Sequence, residues 1–279
     1  MGLIMNLMND PAMRAFGHLA GLVILFNSIM TSTALYSSGT WINMTKGMYD
    51  KYDREQKRIL YNMLKICQKT TFLHVCWELD ILPWSYGIMK EKINLVSFLC
   101  HEKVGEAARM AVSEASRNWK PGLVAEVRRC CLKWNLPDPS KTPLSKETVS
   151  ERIIDVAREE IYASLVSGKY LNMELGQVKN FPSYIYAEEL SSHQQKIVFC
   201  YRLGILCFTN RFSHNYSNVN VNCIYRGCDQ DDILDHSFYC AWNRVVKHKN
   251  RKSLTEMLSY LEKLHVERMA VASIPLYYL

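Results

Sequence analysis

From Met48 onward the apolar residues return every three or four positions, and this spacing commits most of the chain to helix. Tyr49, Tyr52, Ile59, Leu60, Met63 and Cys67 share one side of a predicted helix over 48–67, while Asp50, Lys51, Asp53, Arg54, Lys57 and Arg58 fill the others. The same spacing predicts helices over 86–101, 105–117, 123–134 and 191–203. Two Ser/Thr-x-x-Glu boxes open two more, because the hydroxyl and the carboxylate can satisfy the first free amides. Thr148 to Glu151 starts a helix with Val149, Ile153, Ile154, Ala157, Ile161 and Leu165 on one side and Gly168 as its end. Ser253 to Glu256 starts a terminal one with Leu254, Met257, Leu258, Leu261 and Leu264. Ile81-Leu82-Pro83-Trp84 and Lys120-Pro121-Gly122 punctuate the pattern, and Leu136 to Pro143, with three prolines, reads as a linker or long loop. Strand signal is confined to Ile29–Tyr36 and Val219–Ile224. The expected class is mainly α, and the one-sided stripes are read as core.

Composition removes several alternatives. The 279 residues are 48% apolar and 22% charged, with only 12 Gly and 8 Pro, which excludes disordered and collagen-like chains. A net charge of +7 suits a polyanionic partner and also plain solubility. Ten cysteines fall short of disulfide-scaffold density. Cys67, Cys100, Cys130, Cys200 and Cys207 sit in apolar helical stretches and read as small core residues of a reducing compartment, so an intracellular location, nucleus or cytoplasm, is expected. The longest apolar run, Leu19 to Phe26 and loosely to Met30, is shorter than the ~20 residues of a spanning helix, and no membrane partner is expected. Only Arg14 precedes that run and Ser32-Thr33-Ala34 is a weak cleavage site, so it does not read as a signal peptide. Asn6 stands where myristoylation asks for Ser or Thr. No Gly-rich phosphate loop is present, and no small-molecule substrate is expected.

Chemistry concentrates near the C-terminus. Cys223, Cys228, His236 and Cys240 form C-x4-C-x7-H-x3-C within 18 residues. Four thiolate or imidazole ligands are what a closed tetrahedral zinc site requires. Gly227 permits a turn between the first pair, and His236 and Cys240, four apart, share a face if 231–239 is helical. The segment is too poor in apolar residues to fold alone, so a structural zinc would supply folding free energy. The competing reading is three stray cysteines and a surface histidine. Asp229, Asp231, Asp232 and Asp235 lack the glycine and closing glutamate of a calcium loop.

Directly after this cluster, Trp242 is followed by Arg244, Lys247, Lys249, Arg251 and Lys252, five cations with no acid among them. Cations beside an aromatic suit phosphate contact and base stacking, so these residues are the candidate contacts for RNA or DNA. A solvated basic surface or a nuclear-import patch has the same composition.

Four ordered segments resemble the region downstream of the polymerase core in non-LTR (LINE-type) retrotransposon reverse transcriptases. Ala34-Leu35-Tyr36-Ser37-Ser38-Gly39-Thr40-Trp41 resembles "LLYGSETW", with Ser38 where Gly or Ser is usual. Glu78-Leu79-Asp80-Ile81-Leu82-Pro83-Trp84 resembles "E-x-G-ILPL". Val198-Phe199-Cys200-Tyr201-Arg202-Leu203-Gly204 resembles the "lRtG" helix end. Cys223, Cys228, His236 and Cys240, with Trp242 to Arg244, resemble the CCHC knuckle and its trailing "W-x-R". The segments span about three quarters of the chain. The family commonly shows two residues between the first cysteines and four between His and the last Cys, where this chain has four and three.

The resemblance implies thumb-like helices over 1–135, a helical connector over 136–215, a zinc knuckle and basic run over 216–252 and a terminal helix over 253–279. It does not imply catalysis. Polymerases of this family hold their metal on carboxylates in an aromatic-x-Asp-Asp turn. The one Asp-Asp pair here, Asp231-Asp232, lies inside the knuckle after Asp229-Gln230. The expectation is therefore a non-catalytic fragment that binds RNA or DNA. The alternative is an intracellular helical scaffold or protein-interaction module with a purely structural zinc. An enzyme built on His193, His214 or His236 is disfavoured, since none has an acid–base partner readable from spacing.

Overall fold

The computed structural model describes residues 19–64, 66, 70–101, 104–117, 122–167 and 190–203. Every regular element among them is helical. Helix α1 (Leu19–Leu25) runs through a six-residue π-helical turn (Phe26–Thr31) into a last turn, Ser32–Ala34. A 3₁₀ turn follows at Ser38–Thr40. Then come α2 (Lys46–Leu64), α3 (Phe72–Leu79), α4 (Trp84–Leu99), α5 (Glu106–Arg117), α6 (Leu123–Lys133), α7 (Lys146–Ser167) and α8 (Ser192–Arg202). The mainly α expectation holds for these residues. Val219–Ile224, the CCHC cluster, the basic run and the terminal helix lie outside the described residues.

Two sequence expectations change. Ile29–Tyr36 is helical through Ala34, not a strand. Its β-branched residues suggested a strand, yet Phe26 and Met30, four apart, are both buried as a helix requires. Helix α7 starts at Lys146, ahead of the expected Thr148 cap. Ser145 is the cap, its Oγ accepting the Thr148 amide at 3.1 Å. At α8 a reciprocal box forms: Ser191 Oγ accepts the Gln194 amide at 3.3 Å while Gln194 Oε1 accepts that of Ser191 at 3.0 Å.

Of the described residues, 23–60 and 72–167 belong to one compact unit and 19–22, 61–71 and 190–203 to another. In the larger unit α4 is central: the 3₁₀ turn, α5, α6 and α7 all pack on it, and α3 packs on α7. Met89, Ile93 and Val96 of α4 form a core with Val124, Val127 and Cys131 of α6 and Val149, Ile153 and Val156 of α7. Trp134 closes that core and stacks on Tyr86 at 5.9 Å. Burial pushes the Cys131 thiol up to about 12, the behaviour of a packing residue rather than a reactive one. In the smaller unit the Tyr61 hydroxyl donates to the Thr70 carbonyl at 2.7 Å, the Leu19 amide donates to Gln195 Oε1 at 3.3 Å, and Ile197, Val198, Phe199, Cys200 and Leu203 are buried.

A charged residue also enters the larger core. Lys92 is wholly buried and donates to Glu126 Oε1 at 2.8 Å and to the Tyr49 hydroxyl at 2.9 Å, while that hydroxyl also bonds Glu126. The arrangement ties α2, α4 and α6 through one ammonium, which is tolerable only because its charge is paired and it is hydrogen-bonded.

The proline-bearing stretch between α6 and α7 is a loop fastened along its length. Arg152 Nε bonds the Trp134 carbonyl at 2.8 Å at its entry. Arg128 holds Asp138 Oδ2 at 2.8 Å and the Ser116 carbonyl at 3.0 Å. Burial pushes the Asp138 carboxyl up, but hydrogen bonds from Ser140 and Arg128 outweigh it and hold the group below its ordinary range. At the exit Ser97 Oγ accepts the Leu144 amide at 2.5 Å and also bonds the Leu144 carbonyl at 3.1 Å.

Candidate functional site

The described structure brings two of the four motif segments to α4: Glu78–Trp84 leads into its first residue, and Ala34–Trp41 lies along it from Gly87 to Leu95. Each reaches its position through local backbone geometry.

Glu78–Trp84 ends α3 and starts α4. Asp80 adopts a left-handed conformation, φ 51°. The Asp80 amide then bonds the Trp77 carbonyl at 3.3 Å and the Ile81 amide bonds the Cys76 carbonyl at 3.0 Å. This is the helix C-terminal cap in which one left-handed residue closes the last turn, a position that favours glycine and, after it, Asn or Asp. "E-x-G-ILPL" writes glycine at that place. Burial raises the Asp80 carboxyl, against the pull of Arg158 at 3.6 Å. Glu78 is wholly buried, with His74 Nε2 at 3.8 Å one turn earlier on α3.

Pro83 then stops further α3 growth, and α2 supplies the caps that α4 lacks locally. Gln56 Oε1 accepts the Trp84 amide at 2.7 Å while its Nε2 donates to the Leu82 carbonyl at 2.8 Å. Asp53 Oδ1 accepts the Ser85 amide at 2.9 Å. The amides at the α4 N-terminus are thus taken up by side chains of α2. Burial holds the Asp53 carboxyl above its ordinary range despite the Ser85 bonds.

Ala34–Trp41 leaves the π-helical turn and closes on α4. Aligned letter by letter, "LLYGSETW" sets its glycine opposite Ser37, and Ser37 is left-handed, φ 58°. The two remaining non-glycine residues with positive φ among the described residues are Asn43 and Asn135. Where the family motif has Glu, this chain has Gly39. A Cβ there would lie 2.9 Å from the Glu91 carbonyl oxygen, so the turn approaches the α4 backbone more closely than any side chain allows. Trp41 then stacks on Tyr52 of α2 at 5.0 Å. Trp84 completes the junction: its indole N–H donates to Thr31 Oγ1 at 3.1 Å and its ring stacks on Phe26 at 6.1 Å.

Of the third segment, Val198–Gly204, Val198, Phe199 and Cys200 of α8 and Leu203 just after it are buried, and Gly204 lies outside the described residues. The fourth, with Cys223, Cys228, His236, Cys240, Trp242, Arg244, Lys247, Lys249, Arg251 and Lys252, lies outside the described residues. Among the described residues no group of three or more His, Cys, Asp or Glu side chains is placed to hold a metal ion.

Two cations of α6 are engaged with the protein itself. Arg128 clamps the α6–α7 loop, and Lys133 pairs with Glu160 at 2.8 Å. The apolar N-terminal stretch is longer than its sequence run suggested. Leu19–Thr40, 22 residues, is long and apolar enough to cross a membrane by length and composition, because the Asn, Ser and Thr residues that interrupt it carry no charge. Phe26 and Met30 within it are buried in the protein.

No family model matches the chain, and no curated protein or solved structure matches it.

Proposed function

We propose that the chain is a non-catalytic part of a non-LTR retrotransposon reverse transcriptase, downstream of the polymerase core, that binds RNA or DNA. Cys223, Cys228, His236 and Cys240 would hold a structural zinc. Trp242, Arg244, Lys247, Lys249, Arg251 and Lys252 would meet bases and phosphates. One observation carries the reading furthest. Opposite one glycine of each of the two N-terminal family motifs, this chain has a left-handed residue, Ser37 and Asp80. Left-handed positions favour glycine, so the likeness at these two places is one of backbone as well as of letters. That both segments adjoin α4, one along its side and one at its first residue, adds to this support.

The test is binding of RNA and DNA oligomers titrated with salt, beside a zinc determination on the purified protein. Each phosphate contact on a single strand should contribute roughly −0.7 to the log–log slope. Neutralising Arg244, Lys247 and Lys249 together should therefore flatten it by about two units. Absence of zinc together with an unchanged slope would sink the reading. The second reading, a helical interaction module with zinc as a staple, draws support from Arg128 and Lys133, both paired with carboxylates of the protein itself. An unchanged slope with stoichiometric zinc would favour it.

A further inference from the structure

We infer that the π-helical turn at Phe26–Thr31 is a register latch closed by Trp84, a two-state element that couples the helix leading into the first motif segment to the residue that ends the second. The reasoning starts from helix geometry. In an α-helix each residue turns about 100°, so residues five apart point roughly 140° away from one another. Phe26 and Thr31 are five apart, yet both meet the same indole: Phe26 stacks on the Trp84 ring at 6.1 Å with 12° between planes, and Thr31 Oγ1 accepts its N–H at 3.1 Å. Only a turn holding an extra residue, with i to i+5 bonding, brings such a pair to one face, and Phe26–Thr31 is that turn. Phe26 and Met30 stay buried in it. The surplus residue is accommodated on the outer side, where Asn27, Ser28 and Ile29 are exposed. There the Ser28 hydroxyl bonds the Ile24 carbonyl and the Ser32 hydroxyl bonds the Asn27 carbonyl at 3.2 Å, so side chains share carbonyls of the turn.

The π register has poorer intrinsic bonding than the α register and is rare outside such bulges. The two side-chain contacts that need the π register, those of Phe26 and Thr31, are both made to Trp84. Release of the indole leaves the α register as the alternative, and that change slides one residue through the helix, about 1.5 Å along the axis and about 100° around it. Trp84 is itself held by Gln56 and sits next to the Asp53-capped Ser85. The latch therefore reports the state of the α2–α4 contact to the helix ahead of Ala34–Trp41. This coupling does not depend on nucleic-acid binding.

The test uses the full chain. In a crystal structure of the Thr31→Val, Trp84→Phe double variant, α-type i to i+4 bonds should replace the π turn. Persistence of the π turn would overturn the latch. Since the double variant could fail to fold, deletion of exposed Ser28 gives a second reading. Removing one residue sets Phe26 and Thr31 four apart, so an ordinary α-helix then satisfies both contacts with Trp84. The thermal midpoint of that deletion variant should equal or exceed that of the parent, and a lowered midpoint would overturn the inference.

Discussion

Helices α3 and α5 sit at opposite extremes of burial. Of the eight residues of α3, His74, Val75, Cys76, Trp77, Glu78 and Leu79 are all buried. Of the twelve in α5, Val112 alone is. The spacing of apolar residues announces α5 and is silent about α3. Amphipathic pattern exists only where one side of a helix meets water; a helix covered all round has no polar side to set against its apolar one. Between these two helices, legibility in the sequence and weight in the core run in opposite directions.

The sharpest way to break this contrast is to truncate one anchor on each helix. Trp77 is buried and packs on Tyr162 at 5.9 Å. Trp77→Ala should cost about 3–5 kcal/mol in urea unfolding. Val112→Ala on α5 should cost no more than about 2 kcal/mol. Equal losses would mean that burial in this bundle does not track stability.

The second prediction asks whether buried charge follows the same rule as buried apolar surface. Glu126→Ala leaves the Lys92 ammonium buried without its carboxylate and should cost about 3 kcal/mol, whereas replacing the pair together with Met and Leu should restore most of the loss. Denaturant midpoints of the single and double variants decide this. A double variant as unstable as the single would show that packing volume, and not the unpaired charge, sets the cost.

A smaller effect is expected at the junction. Gln56→Ala orphans the Trp84 amide and the Leu82 carbonyl together and should lower stability by about 1–3 kcal/mol. Asp53→Asn keeps the oxygen that accepts the Ser85 amide but removes the titration. Burial raises the folded Asp53 pKa above its unfolded value, so protonation favours the folded state, and the group's contribution improves as pH falls through the raised value. The Asn variant should therefore match or exceed the parent near pH 7, and its advantage should shrink on acidification. A growing advantage at low pH would reverse the assigned direction. Last and smallest, Met110→Ala on the open side of α5 should stay within about 0.5 kcal/mol by the same unfolding measurement.

The same contrast explains what else the sequence yielded. Helices α2, α4, α5, α6, α7 and α8 were legible to within a few residues, because charged residues alternate with their buried stripes. The π-helical turn was not, since a one-residue insertion blurs the helical period and its Ile and Thr residues mimic a strand. The junction was half legible: its motifs could be named, but the Gln56 and Asp53 caps could not, as they act on residues 28 and 32 positions away. Asn135 closes α6 with φ 52°, a left-handed cap that its residue type could have signalled. Asp80 carries the same signal, one place before the break at Ile81 to Trp84.

The fastened loop between α6 and α7 has a practical use. Arg128 secures it at Asp138 and Ser97 at Leu144, leaving Lys141, Thr142 and Pro143 facing solvent between two fixed points. Chain added there lengthens a closed segment whose ends are already held, and each doubling of such a loop costs only about 0.6 kcal/mol. A short epitope or fluorophore-acceptor peptide placed after Thr142 would then label the protein in the middle of its sequence while the helices on either side keep their seats.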